Sequence, residues 1–481
     1  MNRLLPVTSR VLCIPLSPLF LKSSPITIRS VHSGASSIAM ATATLEPKPA
    51  TLRSAESRVP AAPSPLTPAQ VAIVKATVPA LQEHGGTITK LFYQNMLAAH
   101  PELRNIFNLN SQANGRQPLA LAASVLAYAA HIDDLAALRH AVERIAHKHV
   151  SLDVQPAQYA IVGEHLLGAI AAVLGDAATP EIVDAWTAAY GMLAAVLTNR
   201  EAALYQAHET WLGWRKFRVA RREAESEDIT SFYLVPVDGA KLPAYLPGQY
   251  VSVQVYLSRL GVRQSRQYSL STAPRVEGDY YRISIKREVQ EGEYLENGGT
   301  GSISNLLYDC YLVGDEVELT HPQGEYFVDP VDPTKAGVPL VLLSTGVGAT
   351  PNLSILESAL RPGATSRPIS WLQAARTKAR LPFAGTVGQL KQAHPGQISS
   401  HIWLRNLGAD DQPDADFDHG GSRMDLSQLD REKDLFASNA KAEYFICGPE
   451  SFMTDTKRKL EAMGVGADRI NLELFTTGDV A

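Results

Sequence analysis

The 481 residues, 45% of them hydrophobic, are enough to bury several cores, and length alone sets the expectation at about three domains. A formal net charge of −5 gives no sign of a nucleic-acid binder. No uninterrupted apolar run reaches the eighteen or so residues that span a bilayer, the nearest, Leu4 to Leu21, being broken by Pro6, Arg10, Pro15 and Pro18, so no stable membrane insertion is expected. Cys13, Cys310 and Cys447 lie far apart and match no zinc or iron–sulfur spacing.

Residues 1–40 carry Arg3, Arg10, Lys22 and Arg29 among many serines and threonines, and the first acidic residue is Glu46. That bias has the composition of a mitochondrial transit peptide, so a matrix location is expected, with Met40 as an alternative start that would give a cytosolic form. Residues 41–65, rich in Pro, Ala, Ser and Thr, read as a disordered linker.

From 66 to 208 the pattern is helical, with short breaks at Gly or Pro and no period-two run. A helix beginning near Pro118 carries Leu121, Val125, Tyr128 and Ile132 on one stripe, with Gln117 at its entrance. Another, Pro156 to Ile170, carries Tyr159, Val162, Leu166 and Ile170, and a last one buries Ile182, Trp186, Tyr190, Leu193, Leu197 and Leu204 with Glu201 at the edge of that face. Between them, Ala141 to Ser151 places Val142, Ile145, Ala146 and His149 on one narrow stripe, while His140 and His147 point the other way. A histidine on an apolar face needs a partner, because a buried imidazole left unbonded costs roughly 1–3 kcal/mol. A core histidine bonded to a backbone carbonyl and a metal ligand both answer that need.

Six motifs in fixed order decide between them: Leu91-Phe92-Tyr93; His100-Pro101-Glu102-Leu103 followed by Ile106-Phe107-Asn108; Asn114-Gly115-Arg116-Gln117; His147-Lys148-His149; the run from Gln158 to Leu167; and Asn199-Arg200-Glu201-Ala202. This all-α domain resembles the globin of the flavohaemoglobins. The resemblance implies haem b, with His149 as the proximal iron ligand, Tyr159 and Glu201 as the groups that orient it, and Tyr93 and Gln117 as distal donors to bound dioxygen. It further implies that Phe107 packs on the haem, Leu121 lines the distal pocket and Lys148 lies in the cofactor region. Pro118 departs from the polar or basic residue common after the distal glutamine.

Period-two segments fill 209–330, at Phe217-Arg218-Val219-Ala220, from Thr230 to Val237, from Tyr250 to Val255 and from Tyr281 to Lys286, and predict a small antiparallel β-barrel. Arg266-Gln267-Tyr268-Ser269, which follows the segment ending in Tyr250, offers a cation for phosphate, a ring to lie on a flat heterocycle and a hydroxyl for a ring nitrogen. Gly298-Gly299-Thr300-Gly301 opens a helix at Ser304 and Asn305, the arrangement that receives a pyrophosphate on backbone N–H groups. Both match the FAD motifs of ferredoxin-reductase-type domains, which assigns Tyr250, Arg266, Gln267, Tyr268, Ser269, Gly301 and Ser304 to the flavin.

Residues 331–481 alternate buried strand and helix, the α/β pattern of a parallel sheet. An apolar strand runs into Gly346-Val347-Gly348-Ala349-Thr350-Pro351, and a second, from Tyr444, ends in Cys447-Gly448-Pro449, together resembling the NAD(P)H-binding half of the same reductases. Arg376, Lys378 and Arg380, just past the strand from Ile369, are placed for a ribose 2′-phosphate and favour NADPH over NADH. Glu473-Leu474-Phe475 matches a motif whose aromatic covers the flavin, although Thr476 stands where glycine is expected. Asp410 to His419 is an acidic surface segment without assigned chemistry.

The resemblance covers everything after Leu66 and implies a nitric oxide dioxygenase: hydride passes from NAD(P)H to FAD, single electrons pass to haem, and nitric oxide and dioxygen become nitrate. A monomer is expected, with room for a lipid in the haem pocket. Two alternatives stand beside it, a flavin and haem reductase for external acceptors or peroxides, and a haem-based oxygen carrier or sensor.

Overall fold

A computed structural model describes residues 65–208, 210–288, 302–413 and 415–475, all within the compact unit Ala62–Ala481. The expected presequence and linker, Gly301 and Thr476 lie outside the described residues.

Seven helices come first: α1 (Pro68–Ala76), α2 (Val78–Ala99), α3 (Leu109–Ala113), α4 (Arg116–Ala130), α5 (Arg139–Ser151), α6 (Pro156–Leu174) and α7 (Pro180–Ala207). Their ends follow from local chemistry. Thr67 caps α1 by accepting the Gln70 amide N–H at 3.2 Å while the Gln70 side chain accepts the Thr67 N–H at 3.0 Å. Proline stands at the start of α6 and α7, where its missing N–H leaves no bond unmade. The sequence places the start of α4 near Pro118, but the helix begins at Arg116, after Gly115 in the left-handed region (φ +77°), so that Gln117 is already helical and Pro118 sits inside the first turn. The Pro118 carbonyl accepts from Thr89 Oγ1 at 2.8 Å, tying this turn to α2. The helices close on a core of Ile88, Phe92, Met96, Tyr128, Leu166, Ile170 and Trp186. By length and hydropathy alone the stretch Pro156–Ala177 could cross a bilayer. Here its Leu166, Ala169 and Ile170 are core residues, and Gly163 lies so close to Tyr190 of α7 that an added Cβ would sit 2.5 Å from the ring.

The next strands are β1 (Arg215–Ala224), β2 (Ile229–Pro236), β3 (Tyr250–Leu257), β4 (Val262–Ser269), β5 (Tyr281–Lys286) and β6 (Glu316–Leu319), with α8 (Ser302–Cys310) before β6. They form an antiparallel sheet in the order β4-β3-β6-β1-β2-β5, and an antiparallel bridge between Leu270 and Ile283 joins its two ends into the expected barrel. Inward residues such as Phe217, Val219, Val251, Val253, Ile283 and Leu319 fill it.

The last region holds β7 (Leu340–Thr345), α9 (Ala349–Ala359), β8 (Ile369–Ala375), α10 (Ala384–Ala393), β9 (Ile398–Leu404), β10 (His419–Gly420), β11 (Glu443–Cys447), α11 (Glu450–Ala462) and β12 (Ile470–Glu473). All strands pair in parallel, in the order β10-β9-β8-β7-β11-β12, with separate apolar clusters over its two faces. The order reverses between β7 and β11. In an open parallel sheet a ligand binds outside the strand ends at that reversal.

Candidate active site

On α5 the ring of His149 turns inward to two groups that arrive from other helices. Its Nδ1 lies 2.8 Å from Glu201 Oε1 and 2.8 Å from the Tyr159 hydroxyl, and that hydroxyl donates to the same Glu201 oxygen at 2.5 Å. Glu201 is only 2% exposed. A carboxylate facing Nδ1 places the ring proton there, which leaves Nε2 with a free lone pair. Tyr159 is itself held in place: Tyr190 donates to its carbonyl at 2.5 Å, in the close approach that Gly163 permits. Burial, and next the Glu201 charge, push the Tyr159 hydroxyl far above its ordinary range, so it remains a donor at any physiological pH. Such a set of groups orients and enriches an imidazole that binds iron.

Tyr93 on α2 is buried, with burial pushing its hydroxyl well up while Gln117 and Gln112 partly offset the effect. Phe107 meets its ring edge-on at a centroid distance of 5.5 Å, and Leu121 packs into the same core. Gln117 Oε1 and Gln112 Nε2 are buried without a protein partner. Unsatisfied buried polar atoms beside a buried tyrosine hydroxyl are what a site for a small polar ligand requires. The donor set therefore fits haem: one neutral imidazole nitrogen on one side, neutral hydrogen-bonding groups on the other.

His147 leaves α5 on the opposite side and is also buried. Its Nδ1 lies 2.8 Å from Gln323 Oε1 and 3.3 Å from the Gly324 backbone nitrogen, in the chain beyond β6. Gln323 exchanges two backbone hydrogen bonds with Tyr250, at 2.8 and 2.9 Å, so the helix that carries His149 is tied directly to the strand that carries the expected flavin tyrosine. Gln264 of β4 makes a second tie, accepting from Leu109 N at 3.0 Å and donating to the carbonyls of Arg104 at 2.7 Å and Phe107 at 3.1 Å. Sequence reading passes over both glutamines, because each stands in a strand or turn whose pattern is set by its neighbours. Only Gln264, two residues before Arg266, stands near a motif that the sequence singles out.

The flavin residues gather along β4 and the start of α8. Tyr268 and Ser304 share a hydrogen bond at 3.0 Å, which joins the two expected flavin motifs. Gln267 donates to Ser252 at 3.1 Å, Arg266 donates to the Ser265 carbonyl at 2.6 Å, and Tyr250 pairs with Ser269 across the ladder. Burial lowers the Arg266 guanidinium, and among the described residues no ion pair to a carboxylate is formed by it. The Ser269 hydroxyl is buried and has no protein partner, which suits a ring nitrogen of a bound heterocycle. Asn305 instead clamps the end of β5, accepting from Glu288 N at 2.8 Å and donating to its carbonyl at 3.0 Å.

At the sheet reversal, Gly346-Val347-Gly348 forms a short turn into α9, which begins at Ala349; Thr350 donates to the Val347 carbonyl at 2.9 Å and Pro351 follows within the first turn. A Cβ on Gly348 would lie 2.2 Å from the Cys447 carbonyl, so only glycine lets the turn approach the end of β11. Gly448 and Pro449 lead from there into α11. Cys447 is fully buried, and burial pushes its thiol well up, which makes it a small packing group and not a thiolate. Glu473 pairs with Cys447 across the parallel ladder, and Phe475 remains 44% exposed. Burial pushes Glu473 up to about 8, and the opposing charge that limits the rise is Lys148, next to His149. Lys148 in turn is drawn down to about 8 by burial, with Glu473 opposing. Lys148 thus couples α5, which carries His149, to β12, whose Glu473 stands beside Cys447.

One expectation changes. Of the three cations read as a 2′-phosphate site, Lys378 is paired with Asp416 at 2.8 Å and Arg380 with Glu227 at 3.0 Å. Asp416 comes from the acidic segment that had no assigned chemistry. Neutralised cations attract a phosphate weakly, so only Arg376 remains without an ion pair among the described residues.

A globin family model matches residues 90–197, and an oxidoreductase NAD-binding domain model matches residues 342–458. The flavohemoprotein of Bordetella pertussis is 46% identical over 420 residues, covering 86% of this chain and 100% of the relative. That of Chromobacterium violaceum is 43% identical over 407 residues, 84% of this chain and 96% of its own. Among solved structures, a flavohemoglobin from Malassezia yamatoensis with bound FAD and heme is 29% identical and covers 85% of this chain and 100% of its own, with a TM-score of 0.73.

Proposed function

Because the chain belongs to the flavohaemoprotein family, we propose that it is a nitric oxide dioxygenase, which uses NAD(P)H and dioxygen to oxidise nitric oxide to nitrate. Haem, when bound, supplies the iron at which dioxygen and nitric oxide react, and FAD converts a two-electron donor into two single electrons. The protein's part follows from the residues. His149 offers Nε2 to iron, and Glu201 with Tyr159 keeps the proton on Nδ1 and makes the imidazole a strong donor. Tyr93 and Gln117 present hydrogen-bonding groups on the distal side, where developing negative charge on oxygen would need them. Tyr250, Arg266, Tyr268, Ser269 and Ser304 hold the flavin, and the turn at Gly346 to Gly348 receives the dinucleotide at the start of α9. His147, Gln323 and Gln264 keep the two halves in one register.

The observation that carries this reading is the buried Glu201 carboxylate on His149. A protein that only stores dioxygen is served by a histidine bonded to a neutral carbonyl, whereas an anion behind the ring pushes electron density towards iron. Stopped-flow mixing of the reduced, oxygen-loaded protein with nitric oxide tests it. Conversion to ferric haem with one nitrate per haem, followed by NAD(P)H-driven return to the ferrous state, is expected. A stable oxygen complex, or a protein with flavin and no haem, sinks the proposal.

The acid-free composition of residues 1–40 supports import into the mitochondrial matrix, with a cytosolic form arising from Met40. Sequencing the mature N-terminus from isolated mitochondria tests this; a chain that starts at Met1 there overturns it. The paired state of Lys378 and Arg380 supports NADH serving at least as well as NADPH.

A further inference from the structure

The helix at the dinucleotide turn is tied to the segment that follows the flavin motif. Ser354, Glu357 and Arg361 recur at intervals of three and four along α9 and just past its end, so they share one face. All three meet residues 272–274, three to five positions after Ser269. The Thr272 hydroxyl and the Ala273 backbone N–H both donate to Glu357 Oε2, at 2.7 and 2.8 Å. Ser354 donates to the Thr272 carbonyl at 2.7 Å, and Tyr245 from the barrel core reaches the same oxygen at 2.5 Å. Arg361 donates to the carbonyls of Ala273, at 3.2 Å, and of Pro274.

Other residues of α9 hold it to its own domain. Leu353 and Leu356 pack in an apolar cluster of the parallel sheet, and Asn352 donates to the carbonyls of Leu343 in β7 and Phe445 in β11, at 3.1 and 3.4 Å. Glu357 carries charge towards the barrel: its side chain is 17% exposed, and its Oε1 lies 3.6 Å from the guanidinium of Arg282, a buried residue of β5. An ion pair taken out of water adds little stability over apolar packing. It adds geometry instead, because apolar surfaces can slide on one another whereas a carboxylate held by two donors has one favoured position. From Gly348 to Glu357 the helix runs about 13 Å at 1.5 Å per residue, so a tilt at the clamped end displaces the turn.

We propose that Glu357 and Thr272 are positioning residues for hydride transfer: their contact fixes the dinucleotide-binding helix against the flavin strand and so sets how closely the nicotinamide approaches the flavin ring. In that step NAD(P)H gives one hydride, with its two electrons, to FAD and becomes NAD(P)+, and a proton from water completes FADH2. Misplacing reacting groups by about 1 Å costs up to about 100-fold in rate, which is why a contact remote from the reacting atoms matters. The inference rests on the flavin and dinucleotide reading of the two sites.

Anaerobic stopped-flow reduction of the flavin in the full-length holoprotein, over a range of NADH concentrations, separates affinity from limiting rate. Thr272→Val keeps the shape and removes the hydroxyl, Glu357→Gln keeps the shape and removes the charge, and Thr272→Ser keeps the donor. Thr272→Val and Glu357→Gln are each expected to lower the limiting rate about tenfold while the apparent Kd for NADH stays within about twofold. Thr272→Ser is expected to match wild type, and the double variant to fall no further than the slower single one, because both break the same contact. The long-wavelength absorption of NAD+ stacked on reduced flavin, read at equilibrium and without turnover, should weaken in the same order. Limiting rates within about twofold of wild type in both variants, affinity lost in step with rate, or effects that multiply in the double variant overturn the proposal. A wild-type flavin that NADH does not reduce overturns the cofactor reading as well, whereas normal reduction in wild type and variants alike overturns the clamp alone.

Discussion

His149 and His147 leave the same helix on opposite sides, and their surroundings differ in kind. His149 meets an anion and a phenol from its own helical domain, Glu201 and Tyr159, at 2.8 Å each. His147 meets a neutral amide and a backbone N–H from the reductase half, Gln323 and Gly324. An anion behind an imidazole changes what the ring donates through its other nitrogen, so the His149 side is electronic. A neutral amide adds position without charge, and Glu143, whose carboxylate lies 4.0 Å from the other ring nitrogen, is itself paired with Arg200 at 2.8 Å, so the His147 side is mechanical. One helix thereby holds the reaction centre and fixes it against its electron source.

The strongest way to break this contrast is His149→Ala. Nitric oxide consumption is expected to fall at least about a hundredfold, beyond what loss of a supporting partner brings, while NAD(P)H oxidation by an artificial acceptor persists. If both activities fall together, the two sides of α5 are not separable. Glu201→Gln comes next and keeps the shape while removing the anion. Turnover should drop about 10- to 100-fold, and the iron–histidine stretching band of the ferrous protein should move to lower frequency, a signature that a purely structural role would not produce.

The mechanical side can be read by pH. Near His147, His321 stacks on His208 at a centroid distance of 3.5 Å, and its Nδ1 hydrogen-bonds to the Pro322 carbonyl at 2.8 Å. Burial first, and the neighbouring His208 second, bring His321 from 6.5 down to about 4. In the unfolded chain the ring takes up its proton near 6.5, and in the folded chain only near 4, so between these values the unfolded chain binds more protons. The stability His321 permits is complete above 6.5 and is lost as pH falls towards 4, by roughly 3 kcal/mol in all. Urea unfolding of wild type and His321→Phe from pH 7 to 4.5 measures the difference; parallel curves would show that the ring titrates normally. The smallest effect is expected far from α5. Asp416→Ala frees Lys378 at an exposed position and should raise the kcat/KM ratio of NADPH over NADH about two- to fivefold. An unchanged ratio would place the 2′-phosphate elsewhere.

Much of this was legible from residues alone. The apolar stripe of α5, the alternation of β4 around Arg266 and Tyr268, and the strand, glycine and helix sequence at Gly346 are local patterns, and local sterics and burial periodicity decide them. The resemblance in the order of the motifs supplied the roles of His149, Glu201 and Tyr93. Other features were not legible. Gln323 is 176 residues from His147, and its type would suit any turn. The cations after β8 looked free because Asp416, 38 residues further on, comes back only when the segment before β10 folds over them. The start of α4 was misplaced by two residues, since Pro118 looks like a first-turn marker while Gly115 in the left-handed region actually opens the helix.

The sequence by itself determined which segments become helix or strand, which faces are apolar, and which residue types are available for iron, flavin and dinucleotide. Each of those is set within a few residues of chain, where backbone sterics and side-chain periodicity act. Tertiary structure alone decided that Glu201 and Tyr159 meet behind His149, that His147 couples the helical domain to the barrel, and that Lys378 and Arg380 are neutralised. Those outcomes depend on groups brought together across tens to hundreds of residues, where packing and the exclusion of water select partners that no local pattern encodes.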